Sequence, residues 1–172
     1  MKLKGAEKQF WWSFRNINNS KDIPEELSGY TSIESENDDL HMTFLVQRIK
    51  VIHSIYLKET SLTDEGVQWI GQIQQLQSLT LMKHPNITTK SLPHLNKLVD
   101  LEYLDLWRTN ILLEDLHQLD QLKKLKELYI SPTARDQNNN YPNVENDQIL
   151  EKIIALQEIF PHCVFYVDCI KY

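Results

Sequence analysis

The chain is poor in the residues that build several kinds of active site. Only two cysteines occur in 172 residues, Cys163 and Cys169. In the extended segment expected there they would stand roughly 20 Å apart at ~3.3 Å per residue, too far to bridge each other. A disulfide-stapled scaffold is therefore not expected, and a reducing, cytoplasmic setting is. The four glycines form no phosphate-cradling loop, and "DEGVQW" reads as a helix start. Positive charge is scarce: 18 Lys and Arg against 24 Asp and Glu give a net charge of -6, without the broad basic footprint that binding nucleic acid requires. Long apolar runs are missing too, so neither an export signal nor membrane insertion is expected. The six histidines, His41, His53, His84, His94, His117 and His162, show no spacing that sets two metal ligands on one helix face. Adjacent His162 and Cys163 would leave a strand on opposite faces and cannot act as a nucleophile pair. The expectation is a non-enzyme with no metal and no cofactor.

What the chain does have is a period. "IHSIYLKETSL" at 52, "LQSLTLMKHPNI" at 76, "LEYLDLWRTNI" at 101 and "LKELYISPT" at 125 start 24, 25 and 24 residues apart, each with aliphatics at its first, fourth and sixth positions. Between them, apolar residues recur every third position: Val67, Ile70 and Ile73; Leu92, Leu95 and Leu98; Leu113, Leu116, Leu119 and Leu122. This spacing predicts strands alternating with helices. Asp64, and Thr88 or Thr89, are the expected helix N-caps.

The repeated L-x-x-L-x-L-x-x-T-x-L/I over residues 49 to 169 resembles the leucine-rich repeat, and "LTDEGV" and "NITTKSL" look like its cysteine-containing or ribonuclease-inhibitor-like subclasses. The resemblance implies an α/β fold: a short solenoid of about four repeats with parallel strands on a concave face and helices on a convex one. It also implies a protein-binding role. The chain departs from the family at the ninth position, where Thr60, His84, Thr109 and Thr133 replace the usual Asn or Cys; threonine can still hydrogen-bond loop backbone.

The ends are expected to close this solenoid. Residues 1–50 read as an N-terminal capping region, with Phe10, Trp11, Trp12 and Phe14 packed over the first repeat and the acidic "ESENDD" as a solvated loop. Residues 51–172 hold the repeats, an insertion at 134–146, a helix capped by Asp147 with Ile149, Ile153, Leu156 and Phe160 on one face, and a final edge strand in "PHCVFYVDC".

With the first, fourth and sixth positions turned inward, the third, fifth and seventh face outward, because side chains alternate across a strand. Stacked, they form three columns: Ser54, Ser78, Tyr103 and Glu127; Tyr56, Thr80, Asp105 and Tyr129; Lys58, Met82, Trp107 and Ser131. Glu59, Lys83 and Arg108 make a mixed-charge rim beside them. Aromatics, Met and Arg are the residues enriched at interfaces, so Tyr56, Met82, Tyr103, Asp105, Trp107, Arg108, Glu127 and Tyr129 are the candidate partner-binding residues. Trp107 faces either a partner or the 134–146 insertion folded over it as a lid. The expected function is recognition of a protein, its identity unknown, by a monomer or weak homodimer. An enzyme or small-ligand site beneath the insertion is the alternative.

Overall fold

The computed structural model describes residues 2–136 and 140–172, so positions 137–139 of the expected insertion lie outside the described residues. In chain order the elements are α1 (Gly5–Arg15), β1 (Glu26–Leu27), β2 (Tyr30–Ile33), α2 (Asp39–Arg48), β3 (Val51–Ile52), β4 (Ser54–Lys58), α3 (Asp64–Ile70), β5 (Ser78–Met82), α4 (Leu92–Leu95), β6 (Tyr103–Asp105), β7 (Glu127–Ile130), α5 (Asn146–Ile159), β8 (Val164–Val167) and β9 (Ile170–Lys171). The fold is mixed α/β. Among the described residues β2, β4, β5, β6, β7, β8 and β9 form one open sheet in that order, parallel from β2 to β8, with β9 antiparallel at the edge. β1 and β3 make a separate parallel pair.

The strands are parallel because each is followed by a crossover long enough to return the chain to the same end of the sheet. Their inward residues are almost wholly aliphatic: Ile55 and Leu57, Leu79 and Leu81, Leu104 and Leu106, Leu128 and Ile130, then Phe165 and Val167, all at most 1% exposed. Helical residues Met42, Leu45, Val67, Ile70, Leu92, Leu95, Ile153 and Leu156 meet them in one continuous core. No helix among the described residues is long and apolar enough to cross a membrane.

The connecting helices shorten from α2 to the connection before β7, and 14-residue α5 then restores a full helix. α3 is α-helical, but the next connection is a 3₁₀ turn at Thr89–Ser91 followed by four-residue α4, and the one after is a 3₁₀ helix, Leu113–Gln118. An apolar residue at every third position suits a helix of three residues per turn better than one of 3.6, and Leu113, Leu116 and Leu119 are buried accordingly.

The segment expected to serve as a cap does more than cover an end. β2 lies beside β4 in register, Tyr30 opposite Ile55 through Ile33 opposite Lys58. Phe10 sits among Trp11, Phe14, Tyr30, His41 and Phe44, with ring centroids 5.0 to 6.2 Å away. The left-handed turn that follows β4, β5 and β6 follows β2 as well: Glu34, Glu59, Lys83 and Arg108 all have φ between 47° and 61°. The first three N–H groups donate to the carbonyls of Lys58, Met82 and Trp107, each one strand further on. At the fourth turn a side chain takes over, and Arg108 N–H donates to Ser131 Oγ at 3.2 Å.

Several expectations need correcting. "ESENDD" is not simply solvated: Asn37 donates to Tyr30 Oη and Ser32 Oγ, Asp38 caps α2, and Asp39 accepts from Thr63 N–H, Thr63 Oγ1 and Gly66 N–H. Asp64 is not a cap; Thr63 is, while the Asp64 carboxylate repeats the role of Asp39 by accepting from Thr88 N–H, Thr88 Oγ1 and Ser91 Oγ. Asp147 caps nothing, since α5 starts one residue earlier behind Glu145. The segment between the cysteines is not extended throughout: left-handed Asp168 and Cys169 turn β8 back into β9, leaving Cys163 buried, Cys169 exposed and both thiols free.

At the ninth positions side chains do bond the loops. Buried His84 accepts Thr60 N–H on Nε2 at 3.1 Å, and its burial holds it below the ordinary histidine range against Leu81 and Glu59, which raise it. Thr109 Oγ1 donates to the Leu106 carbonyl at 2.8 Å, and Thr133 Oγ1 to that of Pro142 at 3.0 Å.

Candidate functional site

Strand register sets the outward residues in rows. Ser54, Ser78, Tyr103, Glu127 and Val164 are successive partners across β4 to β8; so are Tyr56, Thr80, Asp105, Tyr129 and Tyr166; Lys58 stands opposite Met82. A spacing of ~4.8 Å between strands brings side chains in one row into contact. Tyr129 stacks on Tyr166 with centroids 4.3 Å apart and planes 3° from parallel, and Tyr103 leans on Tyr129 at 5.3 Å. The three rings form a continuous aromatic strip across β6, β7 and β8.

Of the candidate residues, Tyr56, Met82, Tyr103, Trp107, Arg108, Glu127 and Tyr129 are half-buried and line this face. Asp105 is a correction: at 3% exposure it does not stand out as a surface charge. Its Oδ1 accepts the Trp107 N–H at 2.8 Å, so it shapes the turn that carries the tryptophan. Burial pushes its carboxyl up to about 6, against that one N–H, which pulls it down. Burial likewise raises the Tyr103 hydroxyl to about 12, helped by the negative charges of Asp105 and Glu127. Tyr129 is raised by desolvation and by Glu127, whose Oε2 accepts its hydroxyl at 3.2 Å.

Trp107 lies just past the end of β6 and is held from three sides. Its carbonyl accepts from Lys83 N–H at 2.8 Å. The indole Nε1 donates to Asp168 Oδ1 at 3.0 Å, an oxygen that also accepts Ser131 Oγ at 3.2 Å. The Arg108 guanidinium rests 4.1 Å above the indole and 5.0 Å from the Tyr141 ring. Described residues of the insertion thus reach Arg108 through Tyr141, while the turn between β8 and β9 grips the indole itself. Trp107 keeps part of its ring in solvent. On the rim, Lys83 and Glu59 form an ion pair that holds Glu59 below the usual carboxylate range.

Tyr166, Asp168 and Tyr141 escaped the sequence reading. Extending the columns one strand further would have found Tyr166, because "VFYV" continues the register of "ELYI". Nothing in the sequence announces Asp168, whose partner Trp107 is 61 residues away.

Beneath the insertion lies a cleft of about 220 Å³ lined by Tyr141, Val144, Ile149, Val167 and Tyr172 among others. This is smaller than the ~300 Å³ at which ligand pockets usually begin. Among the described residues no group of three His, Cys, Asp or Glu is arranged to hold a metal ion. No protein-family model matches the chain, and no curated protein matches it, so the functional reading rests on the geometry of the aromatic face.

Proposed function

We propose that the chain is a short leucine-rich-repeat solenoid and that it acts as a non-enzymatic module that binds a protein on the outward face of its parallel sheet. The repeat reading is supported by strands paired in register at intervals of 24 or 25 residues and by left-handed turns at the same interval. One observation carries the functional reading: Tyr103, Tyr129 and Tyr166 form a continuous, partly exposed ring surface with Trp107 beside it. Rings fixed by strand packing lose little entropy on binding and bury large areas, which is why Tyr and Trp dominate interface energetics. Two free cysteines suit a reducing, cytoplasmic setting, and the short antiparallel β9 at the sheet edge suits a monomer or weak homodimer.

The test is affinity capture from source lysate with wild type, Tyr129→Ala, Tyr56→Asp and, on the helical side, Glu151→Lys. The captured partner should bind each sheet-face variant at least about thirtyfold more weakly, the loss of ~2 kcal/mol expected of an interface anchor, and Glu151→Lys as wild type does. Retention by both sheet-face variants, with circular dichroism confirming that they are folded, would move the working surface elsewhere.

A further inference from the structure

We infer that the aromatic face recognises an arginine side chain of its protein partner, laid across the tyrosine rings with its guanidinium on the Asp105 and Glu127 carboxylates. This rests on the protein-binding reading and adds the chemistry of the partner. Asp105 and Glu127 belong to adjacent strands β6 and β7, one row apart, with Tyr103 and Tyr129 as their cross-strand partners. Neither carboxylate has an ion-pair partner among the described residues. Three nearby cations are occupied elsewhere, Lys83 with Glu59, Lys126 with Glu102 and Arg108 over Trp107, while Lys58 on β4 and Lys171 on β9 stand two strands or more from Tyr103. Around Tyr103 the sheet face therefore carries unneutralised negative charge on a floor of rings.

A carboxylate that is 3% exposed and accepts one N–H is poorly compensated. Its raised proton affinity is the sign of that deficit. A cation from outside would remove it, and three properties favour arginine: a planar guanidinium stacks on a tyrosine ring, donates in a fork to carboxylates, and sheds water more readily than an ammonium. Arg108 over Trp107 shows the same stacking in this chain. Aliphatic or acidic side chains would leave Asp105 buried without a counter-charge, so the site rejects them as well as selecting arginine.

The experiment is a titration of the full ¹⁵N-labelled chain with acetylated, amidated Gly-Arg-Gly, and with Gly-Gln-Gly and Gly-Glu-Gly as neutral and acidic counterparts, read from amide shifts near pH 7.5. The arginine peptide should give saturable shifts at residues 103–107 and 127–129, the other two should not, and Asp105→Asn should weaken binding about tenfold or more. Equal shifts from all three peptides, no saturable shift on this face with arginine, or unchanged binding to Asp105→Asn would each overturn the inference. If a captured partner is lost by Tyr129→Ala yet retained in full by Asp105→Asn, protein docking on this face stands and the arginine assignment falls. If the arginine peptide binds here but the captured partner ignores both changes, the docking reading fails instead.

Discussion

Asp105 and Trp107 divide one task between them. The buried carboxylate fixes the backbone of the tryptophan, and Asp168 fixes its indole. The cost falls on Asp105: its folded-state value of about 6 stands above the 3.8 of the free side chain, so the ionised form weakens the fold. With a folded value raised above the unfolded one, the penalty is absent below about pH 3.8, grows as pH rises through the window, and is complete above about pH 6. Asp105→Asn keeps an oxygen for the Trp107 N–H and removes the charge. Its stability should exceed that of wild type by about 2 kcal/mol near pH 7.5 and approach it near pH 4. Urea midpoints of both proteins at the two pH values check this, and a gap independent of pH would refute it. Strand alternation sets Asp105 in one row with Tyr56, Thr80 and Tyr129, but the sequence could not reveal its burial, which depends on what neighbouring strands bring alongside.

At the scale of elements, the period was legible because each strand and each connecting helix must bury an aliphatic stripe. Less legible were the devices that join one connection to the next. Asp39 and Asp64 stand 25 positions apart, and each binds the start of the following helical connection with both carboxylate oxygens. Gly66 allows this approach, since a Cβ there would overlap Asp39 Oδ1 and the Leu62 side chain. Removing Asp64 strands the Thr88 N–H and two hydroxyls. Asp64→Ala should therefore cost about 2 to 3 kcal/mol, the range for hydrogen bonds to a charged group, measured as a shift in urea midpoint. A loss below ~0.5 kcal/mol would mean that water replaces the carboxylate, as at an ordinary exposed site. In sequence an aspartate before a helix reads first as that helix's own cap, and nothing local tells whether its carboxylate turns to its own first turn or to the next connection.

For the molecule as a whole, one core runs from Leu3 to Val167, and no described boundary divides it. Trp11, 0% exposed, is among its largest side chains and belongs to the N-terminal aromatic cluster. Trp11→Ala should lower stability by about 4 kcal/mol, with far-ultraviolet dichroism and tryptophan fluorescence reporting the same urea midpoint. Separate midpoints would show that the N-terminal region melts independently. By itself the sequence determined the alternation of strands and helices, the 24 or 25 residue interval, and the side chains on each face of the sheet, because burial periodicity is a local property that alternation and turn length transmit directly. Tyr30–Ile33 lacks the leucines that mark the later strands, so β2 is not legible in the repeat pattern. Tertiary structure alone decided that β2 joins the sheet, that Asp168 holds Trp107, and that Asp105 is buried without a counter-charge. Each of these is a contact between residues 25 or more positions apart or a consequence of packing around them, and such contacts are set by the assembly of the whole sheet.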